Sequence, residues 1–291
     1  DRNSVQQAMK GIDVVHHNVA LVPLTKSGNK FWDVNVTGSK IAAEEAVRAG
    51  VSYFIHMSSS AIYGIPVEEP ITLTTPYKPI EIYGKGKLAG EQAVRETCES
   101  AGLPLVVIRP RTILGQGRLG IFKILFDWVH QNRNIYVIGK GDHLFQFVHA
   151  NDLIDAYLLA MDQQKPGVYN VGTDKYGTLR EVLETLIQCA NSKSKVKSLP
   201  TLLTINSLRM LDIMGLSPLA PWHYLTYHKP FYFDVSPLLD LGWNPTYSND
   251  DMFKESYEWF LAHLEDEVEE IGSMHRRPLN EKLLTLLKKV S

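Results

Sequence analysis

The 291-residue sequence predicts an α/β fold: a parallel sheet covered by helices on both faces, followed by a smaller C-terminal lobe. Short apolar runs alternate with helical stretches at close spacing. Glycine or proline bounds them, and the alternation loosens after about residue 115. Runs without polar alternation belong to strands buried on both faces, because a strand with one wet face would alternate.

The elements follow in order. Residues 12–16, Ile-Asp-Val-Val-His, read as a short buried strand. A helix over about 30–49 carries Phe31, Val34, Ile41, Ala42 and Val47 as its apolar stripe, and Gly50 stops it. Val51–Met57 is the next strand and runs into Ser58-Ser59-Ser60. Pro66, Pro70, Pro76 and Pro79 mark a long loop, since proline lacks the N–H that helices and central strands need. A helix over about 80–101 and a strand at Leu103–Ile108 complete the regular part.

Beyond it the spacing predicts a helix at 120–131, a strand at Ile135–Ile138 and another segment at Phe145–His149. Asn151 and Asp152 are expected to cap a helix through Met161, accepting from its free N–H groups. Val168–Val171 reads as a strand, and Thr178 caps a helix to about Ala190. The Ser-, Pro-, Leu- and aromatic-rich stretch 193–230 reads as a substrate-side lobe or lid, and 250–264 as a helix. An acidic run, Glu265 to Glu270, precedes an amphipathic tail with Leu283, Leu286, Leu287 and Val290 on one side. That tail is expected to pack on its own protein or a subunit partner, because the acidic run repels anionic lipid.

Composition narrows the function classes. Thirty basic residues against 32 acidic give a net charge of −2, with no excess to neutralise a phosphate backbone, so nucleic acid is not an expected partner. No apolar run approaches the ~20 residues of a membrane span, and the first residues lack the basic and apolar regions of a signal peptide. Cys98 and Cys189 stand in helix-like stretches without a CxxC pattern, which fits a reducing compartment. His16, His17, His56 and His149 have neither helical i,i+4 spacing nor a carboxylate at ligand spacing, so no metal site is expected. They read as hydrogen-bonding residues at strand ends. The expectation is a cytoplasmic enzyme acting on a small molecule, without stable membrane insertion.

The chemistry concentrates in Tyr83-Gly-Lys-Gly-Lys87. Residues four apart on a helix share a face, so the phenol and the ammonium project together. A nearby cation favours the phenolate of a group that otherwise titrates near 10. Such a pair can move a proton at a hydroxyl while a hydride moves to or from a nicotinamide. Ser58-Ser59-Ser60-Ala-Ile-Tyr63-Gly64 lies where a strand enters a long loop, at the edge of an open sheet where ligands bind. A serine there can donate to the same oxygen, or cap the strand through its own backbone.

In this order the segments resemble the extended short-chain dehydrogenase/reductases, and more narrowly their NAD-dependent epimerase/dehydratase branch. Val14 to Ala20 resembles the family's fourth strand and the turn under the cofactor, and Phe31 to Gly38 the helix whose asparagine, here Asn35, supports that site. Arg109-Pro110-Arg111-Thr112 with Gly115 resembles the segment that touches the nicotinamide. Phe147 to Leu153 resembles a later His-Val-x-Asp-Leu signature, and Tyr169-Asn170-Val171-Gly172 the next strand. Phe233-Asp234-Val-Ser236 and Leu241-Gly242-Trp243-Asn-Pro245 are similar to C-terminal landmarks; together the segments cover about residues 3–260.

The resemblance implies a Rossmann-type doubly wound parallel sheet, with Ser59, Tyr83 and Lys87 as the catalytic trio. It implies NAD or NADP, with NAD favoured, held by Asn18, Val19, Ala20, Asn35, Met57, Ser58, Tyr83, Lys87, Pro110 and Thr112. Substrate would meet Ser60, Arg111 and Phe145, and a homodimer through the Tyr83 helix is expected. The implied reaction is hydride transfer at a secondary alcohol or ketone of a nucleotide sugar. Departures keep alternatives open. Phe145 and Thr112 stand where such enzymes often carry an arginine and an asparagine, with Arg111, Arg118 and Lys140 as substitutes. An apolar alcohol, as in the 3β-hydroxysteroid branch, suits the aromatic stretch 218–233. A non-catalytic homologue is the third reading, set against the retention of Tyr83 and Lys87.

The family's opening strand, glycine-rich turn and helix have no counterpart, so the chain is expected to begin near the family's third strand. Gly115-Gln-Gly117-Arg-Leu-Gly120 fits the same glycine spacing, yet no acidic residue ends a following strand, and it reads as a substrate-side loop. Gly84, Gly86 and Gly90 are expected to let their helix approach the cofactor or a subunit partner. The expected partition is a truncated cofactor domain over 1–115, a substrate lobe over 116–264 with 145–172 returning to the sheet, and a tail over 265–291.

Overall fold

A computed structural model describes residues 1–22, 30–214, 217, 219 and 221–264. Along the chain run α1 (Arg2–Ala8), β1 (Val14–His17), α2 (Lys30–Trp32), a π-helical stretch (Asp33–Gly38), α3 (Ser39–Ala49) and β2 (Tyr53–Met57). A 3-10 turn (Ser60–Tyr63), α4 (Ile82–Ala101), β3 (Leu105–Pro110), β4 (Thr112–Leu114), α5 (Phe122–His130), β5 (Ile135–Ile138) and β6 (Phe147–His149) follow. The rest are α6 (Ala150–Asp162), β7 (Gly167–Val171), α7 (Leu179–Cys189), β8 (Val196–Leu199), α8 (Thr201–Ile213), α9 (Pro221–Thr226), α10 (Ser236–Leu239) and α11 (Asn249–Ala262).

Two compact units emerge. The first comprises Asp1–Arg111, Leu153–Val171 and Phe233–Asn244. Its sheet has the order β1-β2-β3-β7, and every pairing is parallel. The carboxyl ends of all four strands therefore share one edge. On one face Val15 and Phe54 pack against Met9, Ala42, Ala43, Ala46, Val94 and Cys98, a wholly apolar layer under α1, α3 and α4. A fully buried phenylalanine such as Phe54 contributes roughly 1.5–3 kcal/mol. On the other face α6 lies over β1 and β2: His16 stacks on Tyr157 and bonds its hydroxyl at 2.6 Å, and Tyr53 donates to the Ala160 carbonyl. The predicted doubly wound sheet is thus observed.

The second unit comprises Thr112–Asp152, Gly172–Tyr232 and the residues from Pro245 on. It contains two small parallel pairs, β4 with β6 and β5 with β8. Aromatic side chains fill it, with Phe122, Phe147 and Phe253 meeting edge to face and Phe126 against Tyr257. The capping box at Thr178 and Glu181 starts α7 as its sequence predicts.

Several local expectations are corrected. Of the segment 145–172, only β7 joins the large sheet, because β6 pairs with β4 instead, and residues 233–244 also return to the first unit. The helix expected over 30–49 contains a π-helical segment at Asp33–Gly38. Asp152 does not cap α6; its two carboxylate oxygens accept from the N–H groups of Thr246 and Tyr247, at 2.9 and 3.0 Å. A partner more than ninety residues away has outcompeted the local one. Gly90 lets α4 approach the chain's own π-helical stretch: a Cβ there would sit 2.0 Å from the Asn35 carbonyl oxygen. Gly84 likewise makes room for the Ala61 carbonyl. The tail and its acidic run lie outside the described residues.

Candidate active site

The site is assembled at the carboxyl edge of the large sheet. β2 ends at Met57, and the Ser58 N–H donates to the Ile108 carbonyl, so the serines emerge in register with the end of β3. Ser59 is extended, and its hydroxyl accepts from the Ala61 N–H at 3.2 Å, starting the 3-10 turn. Its own hydrogen remains to be donated elsewhere. Across from it, α4 starts at Glu81, whose carboxylate accepts from the N–H groups of Tyr83 and Gly84, both at 2.9 Å. This cap fixes the backbone of Tyr83.

The Ser59 hydroxyl lies beside the Tyr83 phenol and favours its ionised form. Tyr83 keeps some exposure as a residue, yet its phenol is closely surrounded, and burial raises it above the usual tyrosine range. The neighbouring Ser59 hydroxyl acts in the opposite sense, and the charge of Glu81 adds to the rise. The expected lowering by Lys87 is not what governs the phenol in this chain. Lys87 is buried, donates to the Met57 carbonyl at 2.5 Å, and is pushed by burial down to about 8, with Glu91 opposing the fall.

The turn after β1 is held by Asn35. Its amide oxygen accepts from the Leu21 N–H at 2.9 Å and its amide nitrogen donates to the Leu21 carbonyl at 3.1 Å. Asn18 and Val19 are left exposed on that turn, Val19 by 66%. Ser60 accepts from the Arg111 guanidinium at 3.2 Å, and Pro110 lies in register with Val171. Asn18, Val19, Ala20, Asn35, Met57, Ser58, Ser59, Ser60, Tyr83, Lys87, Pro110 and Arg111 therefore all belong to the first unit. Thr112 and Phe145 belong to the second. There Phe145 is buried against Phe147 and Tyr227, and Thr112 opens β4. Phe231 and Tyr224, from the aromatic stretch, are buried there too.

A buried ionic network was missed by the sequence reading. Glu91 accepts from Arg109 Nε at 3.0 Å and from its Nη2, a two-pronged pair, and from the Ser58 hydroxyl at 2.6 Å. Arg109 also donates to the hydroxyls of Tyr63 and Tyr77, at 2.7 and 2.8 Å, and Tyr63 donates to Asn170 at 2.9 Å. Burial would weaken the Arg109 charge, but Glu91 more than offsets this and holds its pKa high. The available signal was spacing: Tyr83, Lys87 and Glu91 stand at i, i+4 and i+8 on one helix face.

Of the four histidines, three have the expected hydrogen bonds. His16 bonds Tyr157, His17 bonds Ser39 at 3.0 Å, and His149 accepts from the Asn151 N–H and meets Glu255 at 2.9 Å. His56 differs: among the described residues neither of its ring nitrogens has a hydrogen-bond partner. Burial, then the Lys87 charge, lowers His17 to about 4, and the same causes together with His17 lower His56 well below the histidine range. Both imidazoles are neutral at physiological pH. Among the described residues no group of three His, Cys, Asp or Glu side chains could hold a metal ion, and no helix is long and apolar enough to cross a membrane.

Residues 1–172 match the model of the NAD dependent epimerase/dehydratase family. The chain belongs to that family. Over 288 residues it is 43% identical to the uncharacterized protein y4nG of Sinorhizobium fredii, spanning 99% of this chain and 73% of that protein. It is 25% identical over 258 residues to the dTDP-D-glucose 4,6-dehydratase of Mus musculus, spanning 86% of this chain and 68% of the mouse protein. The structure of UDP-glucose 4-epimerase from Thermotoga maritima with UDP-glucose superposes with a TM-score of 0.73. That match has 22% identity and covers 91% of this chain and 83% of the epimerase. This epimerase/dehydratase family member is accordingly an enzyme with a Rossmann-type fold.

Proposed function

We propose that the protein is an NAD-dependent epimerase or dehydratase acting at a secondary alcohol of a nucleotide-linked sugar, with Ser59, Tyr83 and Lys87 as its catalytic residues. The observation that carries this is the Tyr83 phenol beside the Ser59 hydroxyl at the carboxyl edge of the sheet, with Lys87 one helical turn further on. The donors at that edge fit a nicotinamide dinucleotide: a buried ammonium, serine hydroxyls and an exposed turn held by Asn35. Lys87 and Tyr83 would hold the ribose, Asn18, Val19 and Ala20 would lie under the cofactor, and Pro110 would meet its nicotinamide end. NAD, when bound, supplies the hydride acceptor and donor.

The chain's own residues handle the proton. Tyr83, kept protonated by burial, is ready to deliver its proton to a ketone oxygen. Ser59 donates to the same oxygen and fixes its position. In the reverse direction the alcohol proton returns to the phenolate, while Lys87 would hold the ribose beside it. The finer assignments, NAD over NADP and a cytoplasmic location, rest on the family resemblance and on composition.

The test is turnover of a panel of UDP- and dTDP-hexoses by the full-length protein with NAD, reading epimer or dehydrated product by chromatography. Tyr83→Phe should lower turnover by about 10²–10⁴-fold while the melting temperature stays within a few degrees. Retained turnover in a folded variant contradicts the assignment.

A further inference from the structure

Proton transfer by Tyr83 and Ser59 leaves the buried Glu91 without a part. Glu91 is 1% exposed and lies on the same face of α4 as Lys87, four residues further on. Its carboxylate gathers three hydrogen bonds, two from Arg109 and one from Ser58, the residue next to Ser59. Lys87 is 3% exposed and bonded to a neutral carbonyl. An ammonium enclosed without an anion tends to lose its proton, because burial penalises the charged form.

The titratable groups around Lys87 come from three elements: Tyr83 and Glu91 on α4, His17 on β1 and His56 on β2. Arg109 on β3 is bonded to Glu91. The two imidazoles are neutral, the phenol is protonated, and the Arg109 charge is engaged by Glu91 itself. Among these groups only Glu91 brings negative charge to the ammonium.

We propose that Glu91 is a positioning residue: it keeps Lys87 charged and, through Ser58, fixes the turn that presents Ser59. One carboxylate thereby couples both partners of Tyr83. The catalytic consequence rests on the roles assigned above, whereas the charge of Lys87 can be read without turnover or cofactor.

The experiment is an NMR titration of the full-length protein with ¹³C-labelled lysine, the Lys87 Cε signal being assigned by its loss in Lys87→Arg. The wild-type midpoint is expected at about 8. In Glu91→Gln it should fall by about one pH unit or more, and Glu91→Asp should restore most of the difference. The alkaline limb of kcat/KM should move with it. An unmoved midpoint in folded Glu91→Gln overturns the proposal, even where turnover is lost, because a merely structural role predicts that pattern. Where Glu91→Gln does not fold, Glu91→Met/Arg109→Met removes both charges together. A downward shift is again expected, and no shift again overturns the proposal. Since Tyr83→Phe is read by turnover and Lys87 by its resonance, either assignment can fail alone.

Discussion

The layer between the large sheet and helices α3 and α4 has two halves of opposite character. Toward the amino ends of the strands it is apolar, with Val15, Phe54, Ala42, Ala43, Ala46, Val94 and Cys98 in contact. Toward the carboxyl ends the same strands and helices enclose His17, His56, Ser39, Lys87, Glu91 and Arg109. The changeover happens within two residues on each strand, from Val15 to His17 and from Phe54 to His56. Burial is equally deep in both halves, but its energetics differ. The apolar half gains from being removed from water, while the polar groups of the other lose solvation that hydrogen bonds offset for those named, His56 excepted. One half holds the fold, and the proposed chemistry falls to the other.

The largest expected effects separate the halves by their response to a second mutation. Arg109→Met leaves the Glu91 carboxylate buried without its partner and should cost about 3–5 kcal/mol in denaturant unfolding. Adding Glu91→Met should recover most of that loss, because a neutral apolar pair replaces the ion pair. Phe54→Ala should cost about 3–5 kcal/mol as well, through lost transfer energy and a cavity, and neither Glu91→Met nor Arg109→Met should relieve it. Equal additivity in both halves would remove the distinction.

A smaller effect is expected at the seam with the π-helical stretch. Gly90→Ala should destabilise by about 1–3 kcal/mol, because its Cβ would press on backbone that cannot move aside without shifting Asn35. A neutral result would mean that this seam is looser than the packing suggests. The smallest effect is gradual and depends on pH. His17 titrates near 6.5 when unfolded and about 4 when folded, so above pH 6.5 both states are neutral. As pH falls from 6.5 toward 4 the unfolded chain gains a proton that the folded chain excludes. Stability drops over that window, by up to roughly 3 kcal/mol from this residue. His17→Gln should flatten the acid limb of the stability profile, and an unchanged limb would show that the imidazole finds a solvated position.

Elements set by local pattern were the more legible in sequence. Strand Ile135–Ile138 and the helix capped by Thr178 were readable because their signals are local: a β-branched apolar run and a side chain reaching its own first turn. The Tyr83–Lys87 pair was readable for the same reason, being set by helical spacing. Glu91 extends that spacing by one turn, but its meaning depends on Arg109 from the adjacent strand, and that meeting is tertiary. Asp152 shows the limit from the other side. Its position beside a helix start suggested a cap, and a distant backbone segment at Thr246 and Tyr247 took the carboxylate instead. The unpartnered ring of His56 has no local signature either, since a histidine in an apolar run reads the same whether satisfied or not.

The central claim is that the polar half is a cofactor and proton-transfer site organised around Lys87. The direct measurement is calorimetric titration of NAD⁺ onto the full-length protein and onto its Lys87→Ala variant, with matched melting curves. The account predicts binding to the wild type and at least about tenfold weaker binding to a variant that remains folded, about 1.4 kcal/mol or more. Equal affinity in the two proteins, or no binding to the wild type, would contradict it.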